Sequence, residues 1–304
     1  MRLKDIYASG PALSIEFFPP KSAEVEVELA SRIPGFQALR PAFVTVTYGA
    51  GGSSRERTLG WARRLRQEFG FDVLCHLTCV GQSRAEVAEV LSTLEADGID
   101  KIIALRGDPP KGVTNWQPHP EGYHHSVELV QAAVARGFSV AVAGFPEVHP
   151  EAQDAESDIR FLAQKVAAGA ESVTTQLFYD NEDYWNFVER AKAAGVHVPI
   201  VPGILPFRSV SEIRRFTAVY ARTKNGPARI PDHLEARLSA AEGDPEAEME
   251  LGIAYATEQV TELLRQGAPG IHFYCLNESR AVEQILERLM PQLPQDLAVG
   301  LMRV

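Results

Sequence analysis

No stretch of the chain approaches the roughly 18 apolar residues that a membrane-spanning helix needs, and no basic segment followed by an apolar one opens it. Cysteine is scarce. Cys75, Cys79 and Cys275 are an odd number without CxxC spacing, which indicates neither a disulfide framework nor a zinc site. Cys75 and Cys79 stand four apart in one strand-like run, on the same face, as small buried hydrophobes would. Positive charge is also short: 30 Lys and Arg against 40 Asp and Glu give a formal net charge of -10, the wrong sign for binding phosphate backbones. Neither nucleic acid nor a membrane is expected as a partner, and a reducing cytoplasm fits the composition. Several signatures are missing too. There is no Gly-x-Gly-x-x-Gly after a strand (Gly49-Ala50-Gly51-Gly52 has another spacing), no Walker loop, no Gly-x-Ser-x-Gly elbow and no His-Glu-x-x-His. His119, His124, His125 and His149 lack carboxylate-histidine spacing, so no metal is expected.

What the chain does have is alternation. Its 304 residues, 45% hydrophobic and 23% charged, suffice for a sizeable core. Eight β-rich runs recur at 13–18, 43–48, 73–80, 101–105, 139–144, 172–178, 199–205 and 270–276, most followed by a stretch of helical periodicity. Helices are expected over 55–69, 125–136, 154–168 and 182–194. Another starts at Ser83, whose spacing to Glu86 is that of a capping box, and Ser209 or Ser211 caps one running towards Tyr220. Gly98, Gly137, Gly169 and Gly195 suit left-handed helix ends. Eight βα units without a linker or composition shift predict an α/β fold, a (β/α)8 TIM barrel forming a single domain over residues 1–304. The segment 223–249, rich in Pro, Gly and charge, reads as an insertion carrying a short helix.

In such a barrel chemistry collects at the carboxyl ends of the strands. Glu16 is a lone carboxylate in the apolar run Leu13-Ser14-Ile15-Glu16-Phe17-Phe18, where lost hydration favours its neutral form, as a general acid requires. The ordinary alternative is a solvated Glu paired with a cation. Thr47 ends the second strand, His76 and Thr78 lie in the third, Arg106-Gly107-Asp108 follow the fourth, His149 lies past the fifth and Gln176 is in the sixth. Singly, Thr47 is a β-branched strand residue, His76 a core histidine, Gln176 a backbone-binding amide and Asp108 turn chemistry before two prolines. Together at one end they indicate a site.

These residues sit in motifs that resemble the methylenetetrahydrofolate reductase family over about residues 14–277. The motifs are Ser-Ile-Glu-Phe-Phe-Pro-Pro (14–20), Phe-Val-Thr-Val-Thr-Tyr-Gly-Ala (43–50), Cys-His-Leu-Thr-Cys (75–79), Ala-Leu-Arg-Gly-Asp-Pro-Pro (104–110), Pro-Glu-Val-His-Pro-Glu (146–151), Thr-Gln-Leu-Phe-Tyr-Asp (175–180) and Pro-Gly-Ile-Leu-Pro (202–206). The resemblance implies a ping-pong reaction: NADH or NADPH reduces bound FAD, and the reduced flavin converts 5,10-methylenetetrahydrofolate to 5-methyltetrahydrofolate. It places the proton donor on Glu16 and a cation-stabilising aspartate on Asp108. It implies flavin contacts from Thr47, Tyr48, Ala50, His76, Arg106, Gly107, Asp108, Tyr123, His124, Phe145, His149, Ala152, Asp158 and Lys165. Substrate contacts fall on Glu16, Asp108, Gln176, Glu212 and Phe216, and a homo-oligomer is expected.

Three positions depart from the family pattern. Phe145 stands where tyrosine is common, Glu212 where glutamine is common, and Glu278 where some members carry a basic residue that holds the glutamyl tail, which leaves two alternatives: Arg280 as a substitute, or weak tail binding. The large C-terminal regulatory region of eukaryotic members is not in the sequence, as expected of a bacterial-type enzyme. Two other readings stand beside this one: a flavin-free barrel that transfers a methyl group from methyltetrahydrofolate, and a barrel that only binds.

Overall fold

A computed structural model describes residues 1–48, 55–108, 117–220 and 229–301. Its strands are β1 (Ala12–Phe17), β2 (Phe43–Val46), β3 (Val73–Thr78), β4 (Lys101–Leu105), β5 (Ser139–Gly144), β6 (Ser172–Thr175), β7 (Ile200–Val201), β8 (Gly203–Ile204) and β9 (Gly270–Phe273). Every pairing is parallel, in the order β7-β6-β5-β4-β3-β2-β1-β9-β8.

The seventh expected run, 199–205, is divided. Pro202 has no N–H for a ladder, and the segment changes neighbour there: β7 pairs with β6, and β8 pairs with β9. One stretch of chain therefore serves both edges and closes the eight-stranded (β/α)8 barrel.

Alternation along the strands sorts the side chains. Leu13, Ile15, Phe17, Val44, Val46, Val73, Cys75 and Leu77 point outward into the main core beneath the helices. Both Cys75 and Cys79 are buried and unbridged, and burial pushes their thiols up to about 12 and about 11. The opposite parity points inward. Ala12, Phe43, Leu74, Ile103, Ala141 and Val201 form a separate cluster with Leu3, Ile6 and Tyr7 of the first helix, Leu3–Ala8. That helix plugs the amino-terminal end of the barrel, where the Leu3 N–H donates to Ser139 Oγ at the start of β5 (2.9 Å). Chemistry is left the other end.

The helices follow the expected caps. Ser83 and Glu86 complete a capping box on Arg84–Ala96, and the Ser209 hydroxyl accepts from the Glu212 N–H (3.1 Å) at the start of Val210–Tyr220. Gly98, Gly137, Gly169 and Gly195 all adopt positive φ at helix ends. Within 223–249, residues 223–228 lie outside the described residues; the remainder is mostly helical, with Asp232–Ala241 and the start of Pro245–Arg265. Leu234 and Leu238 anchor it in a third apolar cluster with Leu205, Phe207, Ile213 and Phe216.

Candidate active site

Glu16 shares the inward parity of Ala12 and Ser14, which places its carboxyl inside the barrel with only 6% of the residue exposed. Its Oε2 lies 3.4 Å from His76 Nε2 on β3 and 3.9 Å from His272 Nε2 on β9. No Lys or Arg forms an ion pair with it among the described residues, so the solvated-pair alternative is not what the fold builds. Burial holds the His76 imidazole down to about 4, against the pull of the Glu16 charge. His76 is therefore neutral at physiological pH.

The same cavity wall carries residues that the sequence did not single out. His272 Nδ1 is 2.9 Å from Ser14 Oγ, and its ring meets Tyr274 edge-on at 4.9 Å. Tyr274 donates to the Thr175 carbonyl (2.7 Å), and burial, reinforced by the Glu16 charge, raises its phenol well above the usual range. The only sequence signal was a polar residue at inward parity in an apolar strand, the signal that Glu16 also gave. Thr45, in register with Glu16, and Thr78 each bury a hydroxyl oxygen without a hydrogen-bond partner among the described residues.

A second group follows β4 and β5. Arg106 makes a two-pronged pair with Glu151 (2.5 and 2.8 Å). Gly107 has φ +86°, and a Cβ there would meet Val80 Cγ1 at 2.5 Å and Thr78 Cβ at 2.9 Å, so no side chain fits between Arg106 and Asp108. His149 donates its N–H to Asp158 (3.0 Å), packs edge-on against Phe145 (4.6 Å), and accepts from the Ala152 N–H through its carbonyl (2.9 Å). Lys165 donates to the Ala143 carbonyl (2.9 Å); burial lowers its ammonium to about 8, countered by Asp158. Burial likewise raises Asp158 and lowers His149. Phe145, His149, Ala152, Asp158 and Lys165 are thus one contiguous wall.

The remaining expected residues are spread around the mouth. Thr47 is tied to Phe17 by its N–H (2.9 Å) and to Thr58 by its carbonyl (2.9 Å). Tyr48 is buried, which pushes its phenol up to about 12, and Ala50 lies outside the described residues. Tyr123 lies under the Arg84 guanidinium (5.1 Å), while the His124 N–H donates to Glu128 (2.7 Å). Asp108 is exposed, and Gln176 accepts from the Leu177 N–H (2.9 Å). Neither forms a hydrogen bond or ion pair with Glu16.

The departures have structural partners. Glu212 is buried and clasped by Arg208, whose N–H and guanidinium reach it at 2.8 and 2.6 Å. Phe216, one helical turn on, is buried beneath Arg215 (4.8 Å). Glu278 pairs with Arg32, which also holds Glu28 (2.6 Å). Among the described residues, no three His, Cys, Asp or Glu are grouped to hold a metal ion, and no helix is long and apolar enough to cross a membrane.

The family described as methylenetetrahydrofolate reductase matches residues 2–290 of this chain. The chain belongs to the methylenetetrahydrofolate reductase family. Relatives within it include the 5,10-methylenetetrahydrofolate reductases of Pectobacterium carotovorum, 36% identical over 268 residues, and Escherichia coli, 36% identical over 267. Each of these alignments covers 88% of this chain and 86% of the relative. The Arabidopsis thaliana methylenetetrahydrofolate reductase (NADH) 1 is 34% identical over 301 residues, covering 95% of this chain but 50% of the plant protein. A solved structure of an uncharacterised Clostridium thermocellum protein, described as binding two copies of 5-methyl-5,6,7,8-tetrahydrofolic acid, shares the fold (TM-score 0.60, 14% identity, covering 93% of this chain and 95% of that one). Membership assigns the chain to methylenetetrahydrofolate reduction.

Proposed function

We propose that the chain carries out this reduction with FAD as resident cofactor and NADH or NADPH as electron donor, in a ping-pong sequence with Glu16 as the proton donor. The observation that carries the proposal is the setting of Glu16: a buried carboxyl, facing two imidazoles and, among the described residues, no Lys or Arg, inside the barrel away from its plugged end.

The residues present fit a flavin. Gly107 lets the Arg106-Gly107-Asp108 turn lie directly against Val80 and Thr78, Thr78 holds a buried hydroxyl without a partner among the described residues beside it, and Lys165 brings a buried cation to the wall built by Phe145, His149, Ala152 and Asp158. Thr47, Tyr48, Ala50, His76, Arg106, Asp108, Tyr123 and His124 complete the proposed contact set. Bound FAD would accept hydride from the nicotinamide and pass it to the folate.

The protein's own part is acid-base and electrostatic. Opening the methylene bridge breaks a C–N bond, and the departing nitrogen keeps the electron pair and takes the proton of Glu16. The iminium left behind is positive, and the carboxylate of Asp108 at the mouth stabilises it. Gln176 reads the pterin with its amide, while Glu212 and Phe216 border the substrate from one helix face.

The decisive experiment is an absorption spectrum of the purified protein. It should show an oxidised flavin that NADH or NADPH bleaches anaerobically and methylenetetrahydrofolate restores. A colourless protein that instead transfers a methyl group would establish the flavin-free reading.

A further inference from the structure

Inside the barrel a line of polar groups runs from Ser14 to the acid. Ser14 Oγ is 2.9 Å from His272 Nδ1, and His272 Nε2 faces Glu16 Oε2 at 3.9 Å. All three groups are buried, and Tyr274 packs edge-on against the imidazole at 4.9 Å.

We propose that His272 is a positioning residue for Glu16, its ring held by Ser14 and Tyr274 so that Nε2 is aimed at the carboxylate left when Glu16 gives up its proton. The inference rests on Glu16 being the acid. At 3.9 Å the contact is loose for a hydrogen bond, which suits a donor that tightens only when charge develops on its partner. The other titratable groups facing Glu16 are His76 on β3, Tyr274, and Cys275, whose thiol donates to the Glu16 carbonyl (3.2 Å). His76 supplies a second imidazole from the opposite side. His272 differs in that its other ring nitrogen is held by Ser14 Oγ (2.9 Å).

The test replaces His272 with Gln, whose amide reaches the place of Nε2, and with Asn, whose amide reaches only that of Nδ1. His272→Gln should keep folate reduction within about threefold. His272→Asn should slow it about tenfold and raise the pH at which it is lost by about one unit, the equivalence of a tenfold change in acid strength. Reduction of flavin by NAD(P)H in the same samples should be little changed. An independent readout needs no cofactor: in 13C-labelled apoprotein, the Glu16 carboxyl signal, identified by its loss in Glu16→Gln, should titrate at higher pH in His272→Asn and in Ser14→Ala than in the wild type. Equal impairment of the Gln and Asn variants, or an unmoved carboxyl titration, overturns the proposal. If Glu16→Gln still reduces folate, the acid assignment itself fails, and the carboxyl titration still decides whether His272 acts on Glu16.

Discussion

Glu16 Oε2 on β1 and His76 Nε2 on β3 lie 3.4 Å apart, meeting inside the barrel across the intervening strand β2. A neutral imidazole there offers Glu16 a hydrogen-bonding partner and not a counter-charge. Burial decides this, since it holds His76 down to about 4.

The depressed His76 value also predicts how stability depends on pH. Because the folded state resists protonating this imidazole, its contribution is fully present above about pH 6.5 and is lost as pH falls towards 4. The lost stability is at most about 3 kcal/mol. Urea unfolding of the wild type and His76→Gln across this window should show the variant losing less stability on acidification. Parallel curves would mean that His76 is not held neutral.

Lys165 predicts an alkaline limit on flavin retention. Its ammonium, lowered to about 8, is the buried cation of the proposed cofactor wall, so flavin affinity should fall as pH rises through that value. Lys165→Arg stays charged and should flatten the dependence. Flavin fluorescence released on dilution at pH 7 and pH 9 measures both.

Gly107→Ala should separate the site from the fold. The added methyl collides with Val80 and Thr78 at positive φ, displacing Arg106 and Asp108 and costing about 1–3 kcal/mol of backbone strain alone. We expect flavin loss at temperatures where far-UV circular dichroism is still native. Full flavin content in a folded variant would show that the Arg106-Gly107-Asp108 turn is not part of the cofactor site.

Asn277 ties the ends of β1 and β9 together. Its amide accepts from the Phe18 N–H (2.8 Å) and donates to the Phe18 carbonyl (3.0 Å), from a backbone at φ +63°. Asn277→Ala removes both bonds and leaves the left-handed backbone with a less suitable residue, so about 1–2 kcal/mol of stability should be lost in urea titrations.

Much of this architecture was legible because strand alternation and capping are local. The eight β-rich runs, the Ser83-Glu86 box and the inward parity of Glu16 all follow from neighbours in sequence. The division of 199–205 at Pro202 was not, since a proline breaks a ladder but does not say which strand takes over. His272 looked like any histidine in an apolar strand until β9 paired with β1 and brought it beside Ser14. Similarly, Glu212 and Glu278 stood out only as departures, and their cations, Arg208 and Arg32, became evident with the helix geometry and the long-range contact. The plugging helix is too short, six residues, to announce itself by periodicity.

The central claim, that Glu16 is the proton donor, is tested most directly by anaerobic stopped-flow spectrophotometry of Glu16→Gln, following each half-reaction separately. The account predicts that NAD(P)H bleaches the flavin at close to the wild-type rate while methylenetetrahydrofolate fails to restore its colour. Equal loss of both half-reactions, or an undiminished second one, would contradict it.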